Sequence, residues 1–141
     1  MQAHQATAVA IGGRALLIEG PPGSGKSSLA LALIDRGAQL IGDDSLLLAC
    51  EAGRVVARPH PETRGLLEVR GLGLLRFPVC ERAPVALVLR LDEDGPRHVE
   101  AAATVERAGI ALPLLRLWPD SPVLHLQAEL ALARFGLAAA G

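Results

Sequence analysis

The sequence has no tyrosine, one tryptophan and two phenylalanines, so it lacks the aromatic platforms on which single-stranded bases stack. Nor does it carry charge of one sign. Fourteen Lys and Arg stand against 15 Asp and Glu, a formal charge of −1, which gives no general field for a polyanion. Nucleic acid is therefore not an expected partner. No apolar run approaches the roughly 18 residues of a membrane span, and the N-terminus does not show the basic segment, apolar core and cleavage site of an export signal. From these features no membrane role is expected, and a reducing cytoplasm is the expected location. Cysteine is limited to Cys50 and Cys80, without a C-x-x-C or a cluster of metal-site spacing, and the expectation is two buried free thiols. Lysine is scarce as well: Lys26 is the only one.

That single lysine stands in Gly20-Pro21-Pro22-Gly23-Ser24-Gly25-Lys26-Ser27, which fits G-x-x-x-x-G-K-[ST]. The stretch follows the apolar run Ala15 to Ile18 and precedes a helix-like run from Ser28 to Arg36, the context a phosphate-binding loop requires. A glycine-rich turn lets backbone N–H groups converge on a phosphate, and the following helix adds its positive end. Lys26 is expected to reach the β and γ phosphates of a nucleotide, and Ser27 to offer its hydroxyl to Mg²⁺, a hard cation that prefers oxygen.

At 141 residues the chain suits one domain, residues 1–141, large enough to bury about two-thirds of the surface its unfolded form exposes. Thr7 to Ile11 and Arg14 to Glu19 are β-like runs around Gly12-Gly13, a hairpin signal. The P-loop strand is thus expected to be the second of an antiparallel pair. The run Ser27 to Arg36, closed by Gly37, reads as a buried helix. Gln39 to Ile41 leads into Gly42-Asp43-Asp44, and on an extended segment these two carboxylates point to opposite faces. One then faces a nucleotide while the other serves structure or metal.

Val55 to Arg58 reads as a short strand, and the segment Arg58 to Gly65 as a loop stiffened by Pro59 and Pro61, with His60 between them as a solvated histidine. Glu68 interrupts an apolar run and is followed by glycines that allow close backbone approach. Val85 to Leu91 is the most strand-like run of the second half. Thr104 to Leu117 is expected to give one or two strands around Gly109, broken at Pro113. A closing helix is expected with Ser121 as N-cap and Pro122 in its first turn, running to Phe135 before Gly136.

The P-loop GPPGSGKS, the segment DRGAQLIGDDSLLL and the segment LLEVRGLGLL together resemble the bacterial HPr kinase/phosphorylase family. The resemblance covers roughly residues 4 to 91. It implies an α/β fold, a P-loop kinase domain with a mixed β-sheet like that of the HPr kinase C-terminal domain and of phosphoenolpyruvate carboxykinase. It further implies an ATP-dependent, Mg²⁺-requiring kinase acting on a serine of the phosphocarrier protein HPr. Gly20 to Ser27 would bind ATP, Ser27 and Glu68 would hold Mg²⁺, and Asp44 would accept the proton of the serine hydroxyl. The matched signature runs from Leu67 to Arg76 and includes Arg70. His4 is the candidate for the family's histidine ahead of the P-loop. A homo-oligomer, a hexamer in this family, is implied as well. Ala111 to Ser121 stands where longer members carry a Pro-, Arg- and Gly-rich loop for phosphorolysis, and it lacks that loop's pattern, so the forward reaction is expected to dominate. Arg107 and Arg116 are downstream arginines without a motif.

Two other readings stay open from the residues. A small-molecule kinase uses the same P-loop but needs a substrate pocket and an arginine-rich lid, which this sequence does not display. A non-catalytic ATP-binding module would keep the P-loop while Asp44 or Glu68 served structure.

Overall fold

A computed structural model of the chain describes residues 1–139. β2 (Thr7–Ile11) and β3 (Arg14–Glu19) form the expected hairpin. Gly12 and Gly13 turn it at φ 57° and 83°, the left-handed pair that matches the twist of the flanking strands. β4 (Gln39–Gly42) lies antiparallel on the outer edge of β2, and β9 (Ala83–Leu91) lies parallel on the other edge of β3.

β9 organises the sheet because two strands share its far edge. At its start Ala83 and Pro84 pair antiparallel with β6 (Arg54–Pro59). At its end Val88 to Leu91 pair parallel with β11 (Ile110–Leu117). From β6 the sheet continues through β5 (Leu46–Glu51) to β1 (Gln2–His4), and from β11 to β10 (Ala103–Arg107). Two branches leaving one edge cannot remain coplanar, so the nine-stranded mixed sheet curls and supplies its own second layer.

Alternation along the central strands divides the core between the two faces. Leu16 and Ile18 of β3, with Leu87 and Leu89 of β9, meet Leu29 and Leu33 of α1 (Lys26–Asp35) and Ala128 and Leu132 of α2 (Leu124–Phe135). Ala15 and Leu17 point the other way, with Val85 of β9 and against Leu46, Leu48 and Leu112 of the curled branches. A separate hairpin, β7 (Leu66–Val69) and β8 (Gly73–Arg76), inserts Leu67 and Val69 into the helix-side core. Full burial of such a side chain contributes on the order of 1.5–3 kcal/mol.

Several local expectations are corrected. Pro113 does not break the last strand pair: it faces Thr104 inside β11. Counting pairs from the two-residue turn at Ala108 and Gly109 places Thr104–Pro113 at a position without ladder hydrogen bonds, and pairing with β9 begins only at Leu114. The segment expected to occupy the place of a loop after Ala111 is thus strand as far as Leu117. The closing helix starts at Leu124, not after a Ser121 cap. The Ser121 hydroxyl accepts from Val123 N at 3.3 Å and its carbonyl from Leu124 N at 3.2 Å, a turn that leads into the helix. α1 is buried along Leu29, Ala30 and Leu33 and only half-buried or exposed elsewhere. Cys50 is exposed and Cys80 half-buried, so the thiols are free but not buried. Among the described residues, no helix is long and apolar enough to cross a membrane.

Candidate active site

The P-loop leaves β3 at Glu19 and enters α1 at Lys26. Gly25 is the N-cap residue, at φ 100° and ψ 20°, a left-handed conformation that side chains with a Cβ rarely adopt. Its carbonyl accepts the first helical bond from Leu29 N at 2.9 Å. At Gly20 the reason for glycine is space, since a Cβ there would stand 2.7 Å from Ser24 Oγ and 3.2 Å from Leu91 O. Ser24 N donates to Pro21 O at 3.1 Å, which closes the loop on itself. Lys26 Nζ donates to the carbonyls of Gly20 and Pro21 at 3.0 and 3.1 Å, so the chain's only lysine ammonium lies against the loop.

β4 ends at Gly42, and the two acids that follow part company there. Asp43 is buried. Its Oδ1 accepts from Ser27 Oγ at 2.7 Å and Thr7 Oγ1 at 2.9 Å, and its Oδ2 from Glu68 N at 3.0 Å. One carboxylate thereby ties the P-loop helix, β2 and β7. Asp44 is exposed and adopts φ 64°. Aspartate tolerates this left-handed region better than most residues, yet such positions concentrate at functional sites. The opposed directions expected of the pair thus come from a bend after the strand, not from strand alternation.

Asp44, Glu68 and Arg70 line one pocket of about 230 Å³ with Gly23, Lys26 and Ser27. The pocket brings together the expected loop, hydroxyl, carboxylates and arginine from three separate segments. A larger hollow, about 430 Å³, adjoins Pro21 to Ser24 on the other side. Its wall carries Asp92, Glu93, Asp94 and Asp120 against the single Arg90, a net negative lining that disfavours phosphate, so the first pocket is the candidate site. Ser27, Asp44 and Glu68 offer it hard oxygen donors. Among the described residues no three His, Cys, Asp or Glu side chains gather into a metal cage. A donor set of this size suits an ion shared with phosphate oxygens and water.

His4 and Arg107 meet elsewhere. Glu19, the last residue of β3, is buried and accepts from Arg107 at 2.6 and 3.0 Å and bonds His4 Nε2 at 2.8 Å. Burial pushes its carboxyl up, but the bonds and charges of His4 and Arg107 outweigh this and bring it down to about 2. His4 therefore touches the residue ahead of the P-loop, and it is not among the residues lining the pocket. Arg116 lies apart, 3.4 Å from Asp92. His60 Nδ1 accepts from Glu62 N at 3.2 Å in its own loop.

Thr7 and Glu19 were not legible as site residues. Each is a polar residue at one end of an apolar run, Thr7 opening TAVAI and Glu19 closing RALLIE, which Arg14 opens. A polar group buried there needs a partner, which is the one sequence signal that could have singled them out.

Comparison with known proteins bears on this geometry. Residues 1–80 match the family model described as the HPr Serine kinase C-terminal domain. The HPr kinase/phosphorylase of Mycoplasma mycoides subsp. mycoides SC is 33% identical over 95 residues, 62% of this chain and 30% of that protein. The HPr kinase/phosphorylase of Bordetella pertussis is 50% identical over 64 residues, 45% of this chain and 21% of that protein. The chain thus spans less than a third of the length of these relatives. The solved Hpr(Ser) kinase/phosphatase from Coxiella burnetii superposes with a TM-score of 0.83 at 26% identity, over 94% of this chain and 95% of that one.

Proposed function

This chain belongs to the family of the HPr serine kinase C-terminal domain, and from that premise we propose that it transfers the γ-phosphoryl group of ATP to a serine hydroxyl of an HPr-type carrier protein. The observation that carries the reading is the convergence of Asp44, Glu68 and Arg70 on the pocket of Lys26 and Ser27.

Phosphoryl transfer asks the protein for alignment and for neutralisation of charge, with little covalent work. In this reading the amides of Gly23 to Ser27 receive the phosphates at the positive end of α1. Lys26 exchanges the carbonyls of Gly20 and Pro21 for phosphate oxygens, and Arg70 offsets charge from across the pocket. Ser27 and Glu68 hold Mg²⁺, which when bound neutralises and orients the phosphates. Asp44 accepts the hydroxyl proton while the serine oxygen bonds to the γ-phosphorus and the bond to the bridging oxygen of ADP breaks. His4 bonds Glu19, so its part is to set the strand that feeds the loop. Ala111 to Ser121 lacks the Pro-, Arg- and Gly-rich pattern expected of a phosphorolysis loop, and on that ground we assign the chain the forward direction.

The test is incubation with ATP, Mg²⁺ and purified HPr, followed by mass-spectrometric assignment of the phosphorylated residue, and the same assay run backwards with phospho-serine HPr and phosphate. A phosphorylated serine and a much slower reverse reaction are expected. Nucleotide binding without transfer would leave a non-catalytic module, and transfer to a metabolite alone would make the chain a small-molecule kinase.

A further inference from the structure

We infer that the outer face of the β7–β8 hairpin, with Leu72 and Leu74 at its tip, is the surface on which the acceptor protein docks. This rests on the kinase reading above and adds where the macromolecular substrate lies.

The register of the hairpin carries the inference. Leu67 faces Leu75 and Val69 faces Gly73, whereas Glu68 faces Leu74 and Leu66 faces Arg76. Directly opposed residues share a face with Cβ atoms roughly 4.5–5.5 Å apart. One face therefore anchors the hairpin, through Leu67 and Val69 in the core. The other places Leu74, 66% exposed, beside the pocket residue Glu68. The turn between the strands is fixed by Leu72 N donating to Val69 O at 2.9 Å, and it presents Leu72 at 73% exposure. With the opposite face anchored, neither leucine can turn inward without pulling Leu67 and Val69 from the core.

Single exposed leucines need no explanation. These two stand two positions apart on a pinned hairpin, and Leu74 lies directly across from the pocket residue Glu68. A small metabolite could reach Asp44 without covering them. A folded protein whose serine enters the pocket must lie across the rim. Arg70 and Arg76 bracket the leucines, and both are exposed. Charge complementarity then specifies the partner: a folded protein whose acceptor serine sits beside an apolar patch bordered by carboxylates.

The probe is purified HPr, with full-length wild type, Leu72→Ser/Leu74→Ser, and Leu74→Thr, which keeps strand preference. Initial rates against HPr concentration, ATP affinity, thermal melting and sedimentation are measured for each. Loss of leucine burial at the interface is expected to raise the KM for HPr about tenfold or more in the double variant. Leu74→Thr should give a smaller rise, with a smaller change in kcat than in KM and with ATP affinity and melting unchanged in both. An unchanged KM beside an active wild type overturns the docking surface and leaves the kinase reading intact. Altered sedimentation with an unchanged KM assigns the face to a second copy of the chain and also overturns it. A wild type that never phosphorylates HPr overturns both.

Discussion

Ser27 donates its hydroxyl hydrogen to the buried Asp43 carboxylate at 2.7 Å, so the P-loop serine has its rotamer set before any phosphate arrives. The same carboxylate holds Thr7 and the backbone of Glu68. Ser27→Ala removes one oxygen donor from the pocket and should raise the Mg²⁺ concentration needed for half-maximal transfer severalfold. Titrating activity against Mg²⁺ at fixed ATP checks this, and an unchanged requirement removes Ser27 from the metal site.

Asp44→Asn and Asp43→Asn should separate base from scaffold. A general base contributes typically about 10²- to 10⁴-fold, so Asp44→Asn should lose most single-turnover transfer while ATP affinity stays within a small factor. Asp43→Asn exchanges one acceptor oxygen of a threefold-bonded buried carboxylate for an amide and should cost about 1–3 kcal/mol of stability. Its effect on the chemical step should be smaller. A fully active Asp44→Asn, or a folded Asp43→Asn that is inert, would reverse the roles.

Lys26→Ala should abolish transfer and weaken ATP binding, because it removes the cation that the proposed mechanism brings to the transferring phosphate. Nucleotide affinity and turnover measured together decide the point. Normal turnover in this variant is incompatible with a P-loop kinase.

Glu19 predicts an acid limb of stability. Its carboxyl stands at about 2 in the fold against an ordinary 4.5. The stabilisation is therefore complete above about pH 4.5 and is lost as pH falls toward 2. The full shift corresponds to about 3 kcal/mol. Glu19→Gln should flatten the dependence of unfolding free energy on pH between 4.5 and 2 and lower stability at pH 7. An identical acid limb in the variant would show that other carboxylates set it.

The sequence by itself determined whatever lies within a few residues. The P-loop, its strand and helix, and the Gly12-Gly13 hairpin depend on local conformational preference and on bonds between near neighbours, such as Leu29 N to Gly25 O. Pattern reading recovers these because the causes are contiguous. The family resemblance also pointed to Asp44 and Glu68, whose meeting in one pocket required the fold.

Tertiary structure alone decided the rest. Asp43 gathers partners 36, 16 and 25 positions away, and Arg107 reaches Glu19 across 88. Nothing in the local order of residues encodes such a pairing. It follows from two branches sharing one edge of β9, which curls the sheet and brings the β10–β11 hairpin back to the end of β3. Burial then leaves each polar group only the partner the curl supplies, and the high cost of an unpaired buried carboxylate makes that partner obligatory.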